Sequence, residues 1–226
     1  MCVICYVPRG VRLPKKETIK AMWDKNSHGA GVMYKTPKNE VFYKKGYFDF
    51  EEFYNDLVKI SDRAVEIGIH CRIATSGGIN TEMCHPFPLS TKETRLRSPF
   101  GNQCKEPIIM HNGIINIPLI GKLSDTCSYI VRRLYPRYSY NTAFMFNNNV
   151  VKNIENEIVS SKLWIMSELP TKMIGNWNKD TDGCFYSNLY FKPFNYDYGK
   201  YYTRRSMRYN DKYYLFDDNC LVSYDD

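Results

Sequence analysis

Met1-Cys2-Val3-Ile4-Cys5-Tyr6 opens the chain, and Cys2 is the residue around which the rest is read. Cysteine is small enough for an initiator methionine to be removed, which leaves one residue carrying both a thiol and a free α-amine. A thiol titrates near about 8.5 and an α-amine near about 8. A neutral amine beside the thiol, directly or through one water, takes its proton at neutral pH, so one residue supplies nucleophile and base. Residues 2–7 are apolar and loosely alternating, which predicts a buried first strand. On these residues alone, a plain strand with two half-buried cysteines is the simpler reading. The balance turns on two later stretches, His70-Cys71-Arg72-Ile73-Ala74-Thr75 and His111-Asn112-Gly113.

Outward from that opening, Pro8, Gly10 and Pro14 mark a loop. Ile19, Met22 and Trp23 have the spacing of a helix over 15–24. In Gly29-Ala30-Gly31 the small residues let the backbone approach another segment closely, and a strand follows with 40–47 as its hairpin partner. Asp49 reads as an N-cap with Glu52 at the third helical position. The stripe Phe50, Phe53, Leu57, Ile60, Ala64, Ile67 predicts a helix running to Gly68. Residues 69–74 then form a buried strand with His70 and Arg72 on one face. A long loop over 80–106 holds Cys84-His85-Pro86-Phe87-Pro88, and 108–110 is a strand ending at His111-Asn112-Gly113. Ser124 caps a helix that Pro136 ends. A helix over 150–161 and strands over 163–166, 171–175 and 184–191 complete the pattern, with a turn at 180–183.

A chain of 226 residues is long enough for one substantial core. The net charge is +7. Residues 1–50 hold ten Lys and Arg against four Asp and Glu, but no run is long enough to be a nucleic-acid-binding arm, so this reads as a solvated basic face. No apolar run approaches the length of a membrane span. The first residues lack the pattern of a secretory leader. With eight cysteines and no leader, the expectation is a cytoplasmic protein with reduced thiols. Cys2-x-x-Cys5 has zinc-ligand spacing, yet no second such pair follows, and His70-Cys71 and Cys84-His85 are neighbours whose side chains diverge on a strand. No metal and no cofactor are expected.

Taken together and in order, Cys2, Gly29-Ala30-Gly31, His70-x-Arg72-x-Ala74-Thr75-x-Gly77, His85-Pro86-Phe87, His111-Asn112-Gly113-Ile114-Ile115 and Ser124-Asp125-Thr126 resemble the class II glutamine amidotransferase domain of the N-terminal nucleophile hydrolases. The likeness covers roughly 2–190 and leans toward short stand-alone or phage-encoded members, which would place a viral copy in the host cytoplasm. It departs from the best-known members at Ile73 and Ser76, where Trp and His are usual. The resemblance implies an α+β fold, a four-layer αββα sandwich of two mainly antiparallel sheets, with a glutaminase domain over 1–191. The Tyr-rich extension 192–226 either packs on that domain or binds a partner.

The resemblance also implies roles. Cys2 attacks the amide carbon, while the Asn112 side chain and the Gly113 N–H form the oxyanion hole. Arg72 clamps the substrate carboxylate with a bidentate fork, Asp125 accepts its ammonium, and Thr75 contacts substrate. His85 and His111 brace loops near the site. Each has a plainer alternative: Arg72 as half of a buried salt bridge, Asp125 as a first-turn carboxylate. The expected substrate is L-glutamine or a related γ-glutamyl compound, with ammonia passed to a separate synthase. A stand-alone amide hydrolase and a catalytically silent scaffold on the same fold remain as alternatives.

Overall fold

The computed structural model describes residues 2–74 and 78–192, together with the backbone of 206–209, 212–217 and 220–223. The chain divides into two compact units, 1–192 and 193–226. In chain order the first unit contains β1 (Val3–Val7), α1 (Lys16–Lys25), β2 (Ala30–Lys35), β3 (Val41–Tyr47), α2 (Phe50–Ser61), β4 (Glu66–Cys71), β5 (Phe87–Pro88), α3 (Glu93–Arg97) and β6 (Phe100–Gly101). It continues with β7 (Ile108–Asn112), α4 (Asp125–Tyr129), α5 (Tyr135–Tyr138), α6 (Asn148–Ile158), β8 (Lys162–Met166), β9 (Lys172–Ile174), β10 (Asn178–Lys179) and β11 (Phe185–Tyr186).

Two sheets result, in the orders β10-β11-β1-β4-β2-β3-β6 and β5-β7-β8-β9. Their strand pairings are antiparallel. Successive strand residues point to opposite faces, and the core divides accordingly. Val3, Cys5 and Val7 of β1 pack with Val32, Ile69, Ile19 and Met22, and with Phe53 and Leu57 of α2. Ile4, between them, joins Met33 and Tyr43 against Ile108, Met110, Trp164 and Met166 of the second sheet. The far face of that sheet, Ile109, Leu163, Ile165 and Ile174, meets Ile130, Leu134, Ile154 and Ile158 of the later helices. Three apolar layers therefore separate four layers of secondary structure, α-β-β-α, as expected from the sequence.

Local signals account for many of the boundaries. Asp49 caps α2 by accepting the Glu52 N–H at 2.8 Å, and Ser124 caps α4 by accepting from Cys127 N at 3.3 Å. The turn at 180–183 closes with Gly183 N–H donating to Asp180 O at 3.0 Å.

Other boundaries differ. The helix α2 stops at Ser61 rather than at Gly68, and Ile67 and Gly68 lie inside β4. Ile67, Ile69 and Cys71 alternate onto the α-helical side, and pairing with both β1 and β2 overrides the helical spacing that Ile67 happens to satisfy. That strand also starts and ends earlier than predicted. Pro136 does not end its helix. A π-helical turn over Ile130–Leu134 precedes it, Tyr135 N–H bonds back five residues to Ile130 O, and Pro136 sits in the first turn of α5, where a missing N–H costs little. The 80–106 segment carries short elements of its own, β5, α3 and β6. The expected strand over 184–191 contracts to β11.

In the second unit, β12 (Ser206–Tyr209), β13 (Lys212–Asp217) and β14 (Cys220–Ser223) form a three-stranded antiparallel meander, with Arg208 opposite Tyr213 and Leu215 opposite Val222.

The segment that Gly29-Ala30-Gly31 approaches is the one carrying Cys84 and His85. A Cβ on Gly31 would lie 1.9 Å from the His85 carbonyl oxygen and 2.9 Å from Lys45 Cβ. Backbone cannot yield as a flexible side-chain tip does, so Gly31→Ala is expected to destabilise the protein by about 3 kcal/mol, the upper end of overpacking costs. Urea unfolding of the purified variant measures this; a loss below about 0.5 kcal/mol would contradict the packing described.

Candidate active site

Antiparallel pairing places Val3 opposite Cys71, so the next residue on each strand, Cys2 and Arg72, leave the sheet side by side. Cys2 is half-buried. Its Sγ lies 3.3 Å from both the carbonyl oxygen and the amide nitrogen of Ile73, donating to the first and accepting from the second. Burial pushes the Cys2 thiol up, while the Ile73 backbone and the Arg72 charge pull it back toward its ordinary value. Arg72 is 3% exposed. Its backbone is fixed by a bond from its N–H to Gly29 O and one from His28 N–H to its carbonyl, each 2.9 Å. Its guanidinium donates to Gly78 O at 2.7 Å. Thr75, Ser76 and Gly77 lie outside the described residues.

From the facing sheet, β7 delivers Asn112 and Gly113. The Asn112 amide lies 2.7 Å from Ser187 Oγ. That hydroxyl also accepts the Ile4 N–H at 2.8 Å, and the next residue, Asn188, donates through Nδ2 to the Cys2 carbonyl at 2.7 Å. Residues just past β11 thus hold the Cys2 strand and Asn112 together. Gly113 adopts φ +139, and a Cβ there would fall 2.1 Å from Ser161 Oγ. Glycine is therefore demanded both by the backbone conformation and by the Ser161 wall.

Asp125 opens α4 and is 9% exposed. One carboxylate oxygen accepts the Ile115 N–H at 2.9 Å and the other accepts the Thr126 N–H at 2.8 Å, so the acid braces the segment that follows Gly113. Thr126 Oγ1 lies 2.9 Å from His111 Nδ1 and 3.2 Å from His85 Nε2. The His85 ring stacks on His70 at 4.2 Å between centroids, and His70 Nε2 meets the His111 carbonyl at 3.1 Å. Burial pushes His70 down to about 3, against its bond to His111 O, and pushes His111 down to about 4, against the Asp125 charge. Burial, reinforced by the neighbouring His70 and His111, holds His85 well below the imidazole range. All three rings are neutral at physiological pH.

Hydrogen bonds link Cys2 to Asn112 through Ser187-Asn188 and join Asp125, His111 and His85 around Thr126, with Arg72 and Gly113 adjoining them along the chain. No cluster of three or more His, Cys, Asp or Glu suited to a metal ion occurs among the described residues. Sequence reasoning assigned no site role to Ser187, Asn188, Thr126 or Ser161. Ser187 and Asn188 could have been found as two polar residues directly after a strand. Thr126 follows the predicted cap but looks like any first-turn residue, and Ser161 carries no local signal. Lys45 is a further surprise: it is buried, donates to Glu82 O at 2.9 Å and Leu96 O at 2.7 Å, and burial pushes it down to about 7.

The architecture is a four-layer αββα sandwich of two antiparallel sheets. Among solved structures, the chain is similar to glutamine phosphoribosylpyrophosphate amidotransferase from B. subtilis, complexed with ADP and GMP. The TM-score is 0.52 at 13% identity, over 82% of this chain and 41% of that one. A structure described as the allosteric regulatory enzyme of purine biosynthesis matches with a TM-score of 0.47 at 14% identity, again over 82% and 41%. The likeness is one of fold, and this chain spans less than half the length of either. No family model and no curated protein sequence matches it. No helix among the described residues is long and apolar enough to cross a membrane.

The buried histidines make stability depend on pH. Unfolded, each binds a proton near about 6.5. Folded, His111 and His70 do so only near about 4 and about 3. Below about 6.5 the unfolded chain binds more protons, so stability is full above that pH and falls toward pH 4, by up to about 1.4 kcal/mol per pH unit for each histidine. Denaturant midpoints between pH 7 and 4.5 should fall accordingly; a flat profile above pH 5 would contradict neutral buried rings.

Proposed function

We propose that the first unit is a glutaminase of the class II amidotransferase kind, with Cys2 as nucleophile and its α-amine, freed by loss of Met1, as base. The observation that carries this reading is the joining of Cys2 and Asn112 through Ser187-Asn188, with Arg72 emerging beside the thiol. The amine takes the thiol proton as Sγ bonds to the side-chain amide carbon of glutamine. The amide oxygen becomes an oxyanion, stabilised by donors from Asn112 and Gly113. The C–N bond then breaks, the amine returns its proton to the leaving nitrogen, and ammonia departs from a γ-glutamyl thioester. Water, deprotonated by the same amine, hydrolyses the thioester to glutamate. Arg72 holds the substrate carboxylate and Asp125 its ammonium. Ammonia is volatile and diffusible, so we assign its use to a separate acceptor enzyme. The fold shared with a glutamine-using amidotransferase supports the choice of substrate.

Two outcomes follow. Processed protein should release glutamate and ammonia from L-glutamine, whereas Cys2→Ser, or a preparation that retains Met1, should be nearly inactive. Equal rates with and without Met1 would overturn the amine as base, and a panel of γ-glutamyl amides run alongside identifies the preferred leaving group. Arg72→Ala and Asp125→Asn should chiefly raise KM, each leaving one end of the zwitterion unpaired. Asn112→Ala should instead lower kcat by about 100- to 1000-fold, the usual cost of one oxyanion donor. Unchanged kinetics in folded variants would remove these residues from the site.

A further inference from the structure

The Ser187 hydroxyl has an unsettled hydrogen-bond account, and settling it assigns the residue a role. Ser187 is 1% exposed and Asn112 3%. A hydroxyl has one proton to give and two lone pairs. The Ile4 N–H occupies one lone pair at 2.8 Å. If the Asn112 NH2 occupies the other, at 2.7 Å, the serine proton is left unused. In that orientation Asn112 Oδ1 is buried without a partner among the described residues. Leaving a buried polar atom unpaired costs about 1–3 kcal/mol. The amide oxygen and nitrogen are interchangeable in shape, and the hydrogen-bond network decides between them. With the amide turned over, Ser187 O–H donates to Oδ1 and the serine and the oxygen are both satisfied. The NH2 then takes the buried position that Oδ1 held, facing away from Ser187.

Resting on the glutaminase reading above, we infer that Ser187 is the positioning residue of the oxyanion hole: its hydroxyl holds the Asn112 carbonyl end so that the NH2 is presented to the reacting amide oxygen. The same hydroxyl is anchored on Ile4 N–H, two residues beyond the nucleophile. Its own N–H returns a 2.9 Å bond to Ile4 O. With Asn188 Nδ2 on the Cys2 carbonyl, one dipeptide sets the donor relative to the nucleophile across two sheets. Ser187 bonds to Ile4 and Asn112 and not to the Cys2 thiol, so it acts through Asn112.

Glutamine kinetics of Ser187→Ala, Asn112→Ala and the double variant test this in the full chain. Ser187→Ala should lower kcat about 10- to 100-fold, part of the full loss on removing such a donor, with KM within about twofold because zwitterion recognition is untouched. In the Asn112→Ala background the same change should have no further effect on kcat, since the group it positions is gone. Ser187→Thr, which keeps the hydroxyl, should restore most of kcat. The rate of Cys2 alkylation by iodoacetamide should equal that of the wild type, which separates a misplaced donor from a damaged nucleophile. If Ser187→Ala does not fold, Ser187→Cys takes its place, and its weak S–H donor should lower kcat at unchanged KM. Full kcat in Ser187→Ala or Ser187→Cys, losses that multiply in the double variant, or a change confined to KM would overturn the assignment while leaving the glutaminase reading standing. A wild-type protein that hydrolyses no γ-glutamyl amide would overturn both.

Discussion

The antiparallel pairing of β1 with β4 is the constraint on which the rest depends. It is a register as much as a contact: Val3 opposite Cys71 forces Cys2 and Arg72 to leave the sheet together. A slip of one residue would exchange every inward and outward side chain of β1, sending Ile4 into the helix-facing core and Val3 into the space between the sheets. The apolar layers on both faces forbid this, because each is already filled by partners of matching size. Strand β11 secures the other side of β1, with Cys5 opposite Tyr186, and so delivers Ser187 and Asn188 to the same end. The position of a reactive group thus follows from hydrophobic burial spread along five residues.

The second sheet is aligned to the first by polar contacts set into an apolar interface. His70 reaches the His111 carbonyl across that gap, and Ser187 reaches Asn112. Polar pairs in such a layer contribute modestly when satisfied but cost heavily when displaced. They therefore act as alignment pins where Ile, Met and Trp side chains would tolerate sliding. Keeping the histidine rings uncharged is part of the same arrangement, since three imidazolium ions could not share this space with Arg72 and Lys45 nearby.

Much of this was legible in the sequence because it rests on local chemistry. Asp49 and Ser124 announce their helices as caps, and the loose alternation of 2–7 and the apolar run 108–110 announce buried strands. The order of the small motifs anticipated the four layers. What was not legible depends on distant partners. Ile67 satisfies helical spacing from Ile60 and strand spacing with Ile69 equally well, and only pairing with two neighbouring strands decides between them. Pro136 is a sound helix stop until a wider turn precedes it. At the site, residue types that carry chemistry, such as Cys2, Arg72 and Asn112, could be named individually. Thr126 and Ser161 could not, because a serine or threonine acquires its meaning from what lies across the fold.

Of the seven cysteines whose side chains are described, six are buried and Cys2 is half-buried, and all seven are free. Burial pushes Cys5, Cys71, Cys84, Cys104 and Cys127 upward, away from thiolate character. Among the seven described side chains, an electrophile or peroxide arriving from solvent therefore meets one partly exposed residue, Cys2. Among those seven, susceptibility to oxidants is concentrated on the atom proposed to perform the chemistry.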